Sequence, residues 1–303
     1  MSFKVSIIIA TYNRFNDLKE CLSSVFRLKT KPHEVIIVDS NSTDGTRTLK
    51  DYFPAKFVFT SKRNRQYARN LGISTTTGDI VAFLDDDVVV QKEWLNEIVK
   101  PYVDKSVGGV GGRVIPYGKS AKFYLKISKC DVGKVYSNGL VIGNFDVPSQ
   151  NLLEVDSLLG CNMSFRRELL LKLKGFDENY AGTGYRDDTD MCIRIRKLGY
   201  KILYNPKALI WHKFKGKQVG GVWSYWYIRN NVYFYLKNFY AQYKLSFPIF
   251  LYRLFMPPRD YILKSGVKVK IEPTLFLNTF KGFINGFKTW QKHARIMYSD
   301  VTG

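Results

Sequence analysis

The first two thirds of the chain alternate short apolar runs with amphipathic stretches. Val5-Ser6-Ile7-Ile8-Ile9 is a branched apolar run of the kind that forms a buried strand. Asn16 to Phe26 places Leu18, Leu22, Val25 and Phe26 on one helical face. Glu34 to Asp39 predicts a second strand, Ser42-Thr43-Asp44-Gly45 breaks it, and Thr46 to Tyr52 reads as helix. Lys56 to Thr60 predicts a third strand, Gln66 to Ile73 a helix, Asp79 to Leu84 a fourth strand and Lys92 to Tyr102 another helix. Apolar strands alternating with helices predict an α/β fold whose central sheet is mostly parallel and covered on both faces. Such sheets bind ligands beyond the carboxyl ends of their strands. Asp39 and Asp85 mark two such ends and Thr11-Tyr12 a third, so these groups are expected to converge on one crevice.

The loop after the first strand, Ala10-Thr11-Tyr12-Asn13-Arg14, carries no glycine. A dinucleotide fingerprint or a P-loop is therefore absent, and a bound nucleotide would need its phosphates handled in another way. Asp85, Asp86 and Asp87 supply one. Three adjacent carboxylates repel and raise each other's pKa. A divalent cation removes that cost, and hard oxygen ligands suit Mg2+ or Mn2+. An acidic turn after a strand is the plainer alternative. A second acidic group, Asp187, Asp188 and Asp190, precedes a helical pattern in which Met191, Ile195 and Leu198 share a face. The positive end of a helix favours acids there, but capping accounts for one or two of them better than for three. His212 closes a strand-like run and becomes a candidate ligand if a metal site lies nearby.

Charge and composition change the picture mainly at the C-terminus. The chain of 303 residues has 47 Lys+Arg against 26 Asp+Glu, a net charge of +21, and is 45% hydrophobic and 15% aromatic, which excludes a disordered chain. From Gly216 onward 13 basic residues face 3 acidic ones, and the same stretch holds 21 of the 46 aromatics. Basic and aromatic composition suits an anionic membrane surface or nucleic acid. Cys21, Cys130, Cys161 and Cys192 show no metal or disulfide spacing and read as buried thiols. No signal peptide is visible and no run reaches the ~18–20 apolar residues of a spanning helix. The expectation is a cytoplasmic protein, peripheral at the inner face of the cell membrane.

Put in order, VSIIIATYNR (5–14), EVIIVDSNSTDGT (34–46), YARNLGI (67–73), GDIVAFLDDD (78–87), LLGCNMSFRRELLLKLKGFDE (158–178) and RDDTDMCIRIRKLGY (186–200) resemble the inverting family 2 glycosyltransferases of GT-A fold. The nearer resemblance is to single-sugar, rhamnosyltransferase-like enzymes of cell-surface or lipid-linked glycans. The resemblance implies roles. Thr11 and Tyr12, with Arg14 beside them, would contact the nucleotide, Asp39 would read its base, expected to be uracil, and Arg69 would stand near base and diphosphate. Asp85 and Asp87 match the DxD acids, toward ribose and metal, with Asp86 in the variable middle place and His212 completing the metal site. Asp188 matches the catalytic base, although its neighbour Asp187 stands where the family has Glu. Gly160 and Asn162 match a segment lining the sugar and acceptor side.

These assignments give a GT-A catalytic domain over 1–215 and a helical extension over 216–303. Within the extension, Phe276, Phe280, Phe283, Ile284 and Phe287 recur at helical spacing with Lys281, Lys288 and Lys292, and Pro248, Pro257 and Pro258 rule out one long helix. An interfacial helix on anionic lipid is expected, against packing on the catalytic domain or on a second copy in a homodimer. The function implied is metal-dependent transfer of one sugar from a nucleotide-diphosphate sugar to a glycan or polyprenyl-linked acceptor. A nucleotidyltransferase would want a glycine-rich basic signature after the first strand, which is missing. A nucleic-acid partner is not expected, since two acidic clusters at one cleft would repel phosphate.

Overall fold

A computed structural model describes residues 3–117, 131–213, 221–255 and 273–302. Cys130, Pro257, Pro258 and the expected domain boundary at 215/216 lie outside these residues. The elements in order are β1 (Val5–Thr11), α1 (Phe15–Val25), β2 (Glu34–Asp39), β3 (Lys56–Phe59), α2 (Arg65–Thr75), β4 (Ile80–Asp85), β5 (Val88–Val90), α3 (Trp94–Val99) and β6 (Val107–Pro116). They continue with β7 (Lys134–Val135), β8 (Val141–Ile142), β9 (Leu153–Glu154), β10 (Asn162–Arg166), α4 (Arg167–Lys172), α5 (Asp187–Lys197), β11 (Lys201–His212), α6 (Gly221–Asn238), α7 (Phe247–Phe255) and α8 (Pro273–Thr302).

The main sheet runs in the order β3-β2-β1-β4-β10-β6-β11-β5, with β9 beside β11. Strands β1 to β4 are mutually parallel, as the apolar runs predict. Strand β10 is inserted antiparallel between β4 and β6, and β5 is antiparallel to β11. The sheet is therefore mixed, though mostly parallel. Alternation along β1 sends Ile7 and Ile9 to one face, with Leu18, Leu22 and Trp94. Ile8 turns to the other face, with Ala68, Phe83 and Phe165. Helix α2 starts at Asn64, whose side chain accepts from the Tyr67 N–H at 2.9 Å. It lies so close to β1 that a Cβ at Gly72 would meet Ile8 Cγ2 at 2.7 Å.

Two expectations change, and one strand is additional to those expected. Thr46 to Asp51 forms a 3-10 helix rather than an α-helix, entered through Gly45 at φ +87°. The helix expected to Tyr102 stops at Val99 and tightens into a 3-10 turn over Lys100–Val103, because Pro101 has no N–H to continue it. Val88 to Val90, an apolar run after the three acids, is a strand at the far edge of the sheet.

Helix α6 buries Val232, Tyr233, Phe234 and Tyr235. Lys237 fixes it to the sheet-bearing part of the chain by pairing with Asp177 at 2.7 Å and with Asp190, on α5, at 2.9 Å. Phe250 of α7 stacks on Tyr235 with ring centroids 4.2 Å apart. Helix α8 lies against α6 at backbone distance, where Cβ atoms at Gly282 and Gly286 would each come within 2.6 Å of a carbonyl oxygen, of Tyr225 and Arg229. The opposite face of α8 leaves Leu277, Phe280 and Phe287 exposed. Among the described residues, no helix is long and apolar enough to cross a membrane.

Candidate active site

Pairing register brings the expected groups together. Thr11 lies beside Asp39 in the β1–β2 pair, and Ala10 beside Asp85 in the β1–β4 pair. The carboxyl ends of three adjacent strands thus form one crevice.

The three consecutive acids face different partners. Asp85 is part exposed, its side chain 27% accessible, and its Oδ1 accepts from Arg69 Nη2 at 3.3 Å. Asp86 turns inward, where the Thr11 hydroxyl donates to it at 2.8 Å. Burial pushes the Asp86 carboxyl up to about 7, with Thr11 and Arg14 pulling only partly against it. Asp87 has Oδ1 2.9 Å from His212 Nε2 and Oδ2 3.2 Å from Arg14 Nη1. Burial opposes its ionisation, but His212 and Arg14 outweigh burial and hold the carboxyl below its usual range. His212 ends β11 opposite Val88, so the β5–β11 pair brings it beside Asp87.

The donor set at this point fits a divalent cation. A carboxylate oxygen of Asp85, the Cys161 Sγ and a ring nitrogen of His212 all lie within 4.8 Å of one another. Asp87 stands outside this trio and reaches it only through His212, whose Nε2 is 2.9 Å from its Oδ1. Carboxylate oxygens and imidazole are ordinary ligands of such ions.

The second acidic group divides its work along the first turn of α5. Asp187 is buried and takes Arg69 Nη1 at 2.9 Å, Gln66 Nε2 at 2.9 Å and Arg65 Nη2 at 3.3 Å. Asp190 is buried against α6, bonded to Lys237 and Asn238. Asp188 alone of the three stays part exposed. Its Oδ2 accepts from the Gly160 N–H at 2.9 Å, and its Oδ1 from the Thr189 N–H at 2.7 Å. Burial, then the charge on Asp187, raise the Asp188 carboxyl above its ordinary value. The helix begins through Arg186 at φ +80°, a left-handed conformation. Arg186 is held there by Asn231 at 3.0 Å and by the Tyr185 ring at 4.6 Å.

Gly160 joins the two acidic groups. Its N–H holds Asp188, and its carbonyl accepts from Arg69 Nη2 at 2.9 Å. A Cβ there would stand 3.2 Å from both the Arg69 and Asp188 side chains. The Arg69 guanidinium, 3% exposed, is thus committed to Asp85, Asp187 and Gly160.

At the β1–β2 end of the crevice, Asp39 is fully buried and accepts from the Ser42 N–H at 2.9 Å and from Arg47 Nε at 3.2 Å. Tyr12 is exposed, with the Arg63 guanidinium 4.4 Å from its ring centre. Asn162 is not brought into the crevice. It is fully buried, accepts from Trp94 Nε1 at 2.9 Å and donates to the carbonyls of Arg113 and Ala208. Four residues of the site went unread in the sequence. Arg65 and Arg69 stand four apart on one helical face, a signal that was available, and Gln66 follows Arg65. Arg63 and Cys161 carried no pattern that would single them out.

The chain matches the family model described as glycosyl transferase family 2 over residues 6–173. It matches that described as the N-terminal domain of galactosyltransferase over residues 148–215. It is similar to glucosyl-dolichyl phosphate glucuronosyltransferase of Haloferax volcanii, 29% identical over 230 residues that cover 69% of this chain and 69% of that protein. It is also similar to O-antigen chain rhamnosyltransferase WbaN of Salmonella anatum, 27% identical over 220 residues that cover 68% of this chain and 65% of that protein. The match spans about two thirds of the length of these curated relatives. Among solved structures it is similar to mannosyltransferase PcManGT from Pyrobaculum calidifontis in complex with GDP-Man and Mn2+, with a TM-score of 0.57, 19% identity, and 96% of this chain and 88% of that chain covered. TarS of S. aureus is similar with a TM-score of 0.57, 18% identity, and 93% of this chain and 80% of that chain covered. At these identities the likeness is one of fold, the GT-A fold expected from the sequence.

Proposed function

The chain belongs to glycosyl transferase family 2, and from that premise we propose that it transfers one sugar, with inversion, from a nucleotide-diphosphate sugar to a hydroxyl of a lipid-linked or cell-surface glycan. The observation that carries this reading is the join at Gly160. One backbone residue holds a part-exposed carboxylate, Asp188, and through Arg69 also steadies Asp85 of the acid triplet. A base and a diphosphate-binding end are thereby fixed relative to one another, which a single in-line displacement requires.

Asp188 would take the proton from the acceptor hydroxyl as that oxygen attacks the anomeric carbon. Its raised carboxyl suits a base, and Asp187 and Asp190 are already committed to arginines and to α6. Asp85, Asp87 and His212 would hold Mg2+ or Mn2+. Such an ion, when bound, supplies positive charge to the departing diphosphate. Arg69 is buried and acts as a positioning residue, keeping Asp85 and Asp187 in place rather than meeting phosphate itself. Tyr12 and Asp39 would receive the base, Thr11 would hold Asp86 away from the ion, and Arg14 is the part-exposed cation at the head of the crevice. The Mn2+ in complex with the Pyrobaculum mannosyltransferase supports a divalent ion, and the dolichyl phosphate in the name of the Haloferax relative supports a lipid-linked acceptor.

The same proposal takes 1–215 as the catalytic domain and 216–303 as an extension that meets anionic membrane. Leu277, Phe280 and Phe287 form one exposed stripe on α8, flanked on the next strip of the helix by Lys281, Lys288 and Lys292. Aromatic and basic groups side by side on a helix suit the lipid interface.

The test is a transfer screen with UDP-, GDP- and dTDP-sugars against polyprenyl-phosphate-linked and soluble glycan acceptors, with Mn2+, with Mg2+ and with EDTA. One donor should be turned over with a cation and not in EDTA, with the opposite anomer in the product. Equal turnover in EDTA, or retention of configuration, would overturn the proposal.

A further inference from the structure

Cys161 is the one member of the close-set ligand trio that neither the acid motif nor the expected roles account for. Its Sγ lies within 4.8 Å of both an Asp85 carboxylate oxygen and a His212 ring nitrogen. The three reach one point from separate parts of the sheet. Asp85 ends β4, Cys161 immediately precedes β10, and His212 ends β11. Cys161 is a free, buried thiol, so it is not consumed in a disulfide.

Hard cations gain little from sulfur. Mg2+ and Mn2+ favour carboxylate, carbonyl and water, whereas thiolate favours Zn2+ and related ions. A carboxylate, an imidazole and a thiolate also make the tally of a tetrahedral site with three protein ligands and one open position. Resting on the divalent-ion site proposed above, we propose that Cys161 is a sulfur ligand of that site, which gives it a second mode of occupancy, by thiophilic ions such as Zn2+ and Co2+. The same site then takes two classes of ion in two ways, a hard ion through Asp85, Asp87 and His212, and a soft ion through Asp85, Cys161 and His212. In the soft mode a sulfur–metal bond forms, the thiol proton passes to solvent, and no electron changes hands. Soft ions would compete with the hard ion and slow transfer.

The test is a spectroscopic titration of the full chain with Co2+ under reducing conditions, in a background carrying Cys130→Ser so that this thiol is out of the reading. A sulfur-to-cobalt charge-transfer band should rise in the near ultraviolet, saturate at one ion per chain, and be displaced by Zn2+. Cys161→Ser and Cys161→Ala, each confirmed folded by circular dichroism and thermal unfolding, should lose the band. Their Zn2+ affinity should fall by about tenfold or more, ligand loss being at least as costly as loss of a supporting group. Their Mn2+ affinity should hold within a factor of about two or three, since sulfur contributes little to hard-ion binding. Co2+ binding with the same sulfur-free spectrum in all three chains would overturn the assignment of Cys161 while leaving the divalent-ion site standing. No binding of Co2+ or Mn2+, with or without UDP, would remove both.

Discussion

Asp188→Asn and Asp187→Asn should separate the base from the frame that supports it. In Asp188→Asn one carboxylate oxygen becomes an amide nitrogen, which cannot accept from both the Gly160 and the Thr189 N–H groups. One of these donors is left unmatched, at a cost of about 1–3 kcal/mol. Removing charge next to Asp187 recovers part of that, so the net loss of stability should lie at the lower end. Transfer should fall by about 10²- to 10⁴-fold, the usual worth of a positioned base, or ~2.7–5.5 kcal/mol of barrier. Asp187→Asn strips the charge from a buried carboxylate facing Arg69 at 2.9 Å and Arg65 at 3.3 Å. Breaking such a pair costs about 3–5 kcal/mol, and the loss should appear as instability more than as lost chemistry. Urea unfolding, donor binding by calorimetry and initial transfer rates on the two variants test both halves. The acid limb of kcat/KM in the wild-type chain should also lie above the ordinary carboxylate range, because the base works only unprotonated and its pKa is raised. An Asp188→Asn chain that binds donor normally and keeps transfer within about tenfold of wild type would sink the assignment of the base.

Two further outcomes follow from buried charge and exposed apolar surface. Asp86 is raised from 3.8 to about 7 in the folded chain, so the native state holds a proton that the unfolded state has released. Its stabilising contribution is full below about pH 4 and is lost as pH rises toward 7, at most about 4 kcal/mol over some three units. In EDTA, Asp86→Asn should flatten this part of the stability curve, and parallel urea midpoints for both chains from pH 4 to pH 8 would contradict the reasoning. On the membrane side, the chain should co-sediment with anionic vesicles at low salt and release at high salt. Three lysines at about 1 kcal/mol each and two partly inserted phenylalanines supply the attraction. Combined Phe280→Ser and Phe287→Ser should weaken it, and failure of the wild type to sediment at low salt would turn the exposed stripe over to contact with a second copy.

The sequence carried the signals for what depends on local pattern. Continuous branched runs identified β1, β2 and β4, and the acids at their carboxyl ends identified the crevice. What it did not carry depends on pairing across long separations. Strand β10 is short and mixed in polarity, NMSFR, so nothing local announces that it will lie antiparallel between β4 and β6. Similarly, Asp85, Asp86 and Asp87 are alike on paper, and only their neighbours send one to Arg69, one to Thr11 and one to His212. Asn162 reads as a polar site residue, yet its amide is spent on Trp94 and two backbone carbonyls. The phenylalanines at helical spacing in α8 signalled an apolar stripe. The face that packs on α6 runs through Gly282 and Gly286, which have no hydrophobic signal and work by letting backbones approach.

The insertion of β10 bears on how the chain is made. Strands β1 to β4 can pair as soon as residue 85 has left the ribosome, because every partner is already present. The free edge of β4, with Ile80 to Leu84 buried in the finished molecule, then waits for Asn162 to Arg166. At roughly 5–20 residues per second the wait lasts several seconds. During it, an apolar strand edge with unpaired N–H and C=O groups is a template for any other strand that meets it. Among the described residues, β10 is also the only strand that connects the β3-β2-β1-β4 half of the sheet to the β6-β11-β5 half. The synthesis of five residues thus covers the β4 edge and seats β6 beside it, leaving β11 to add the rest of the sheet some forty residues later.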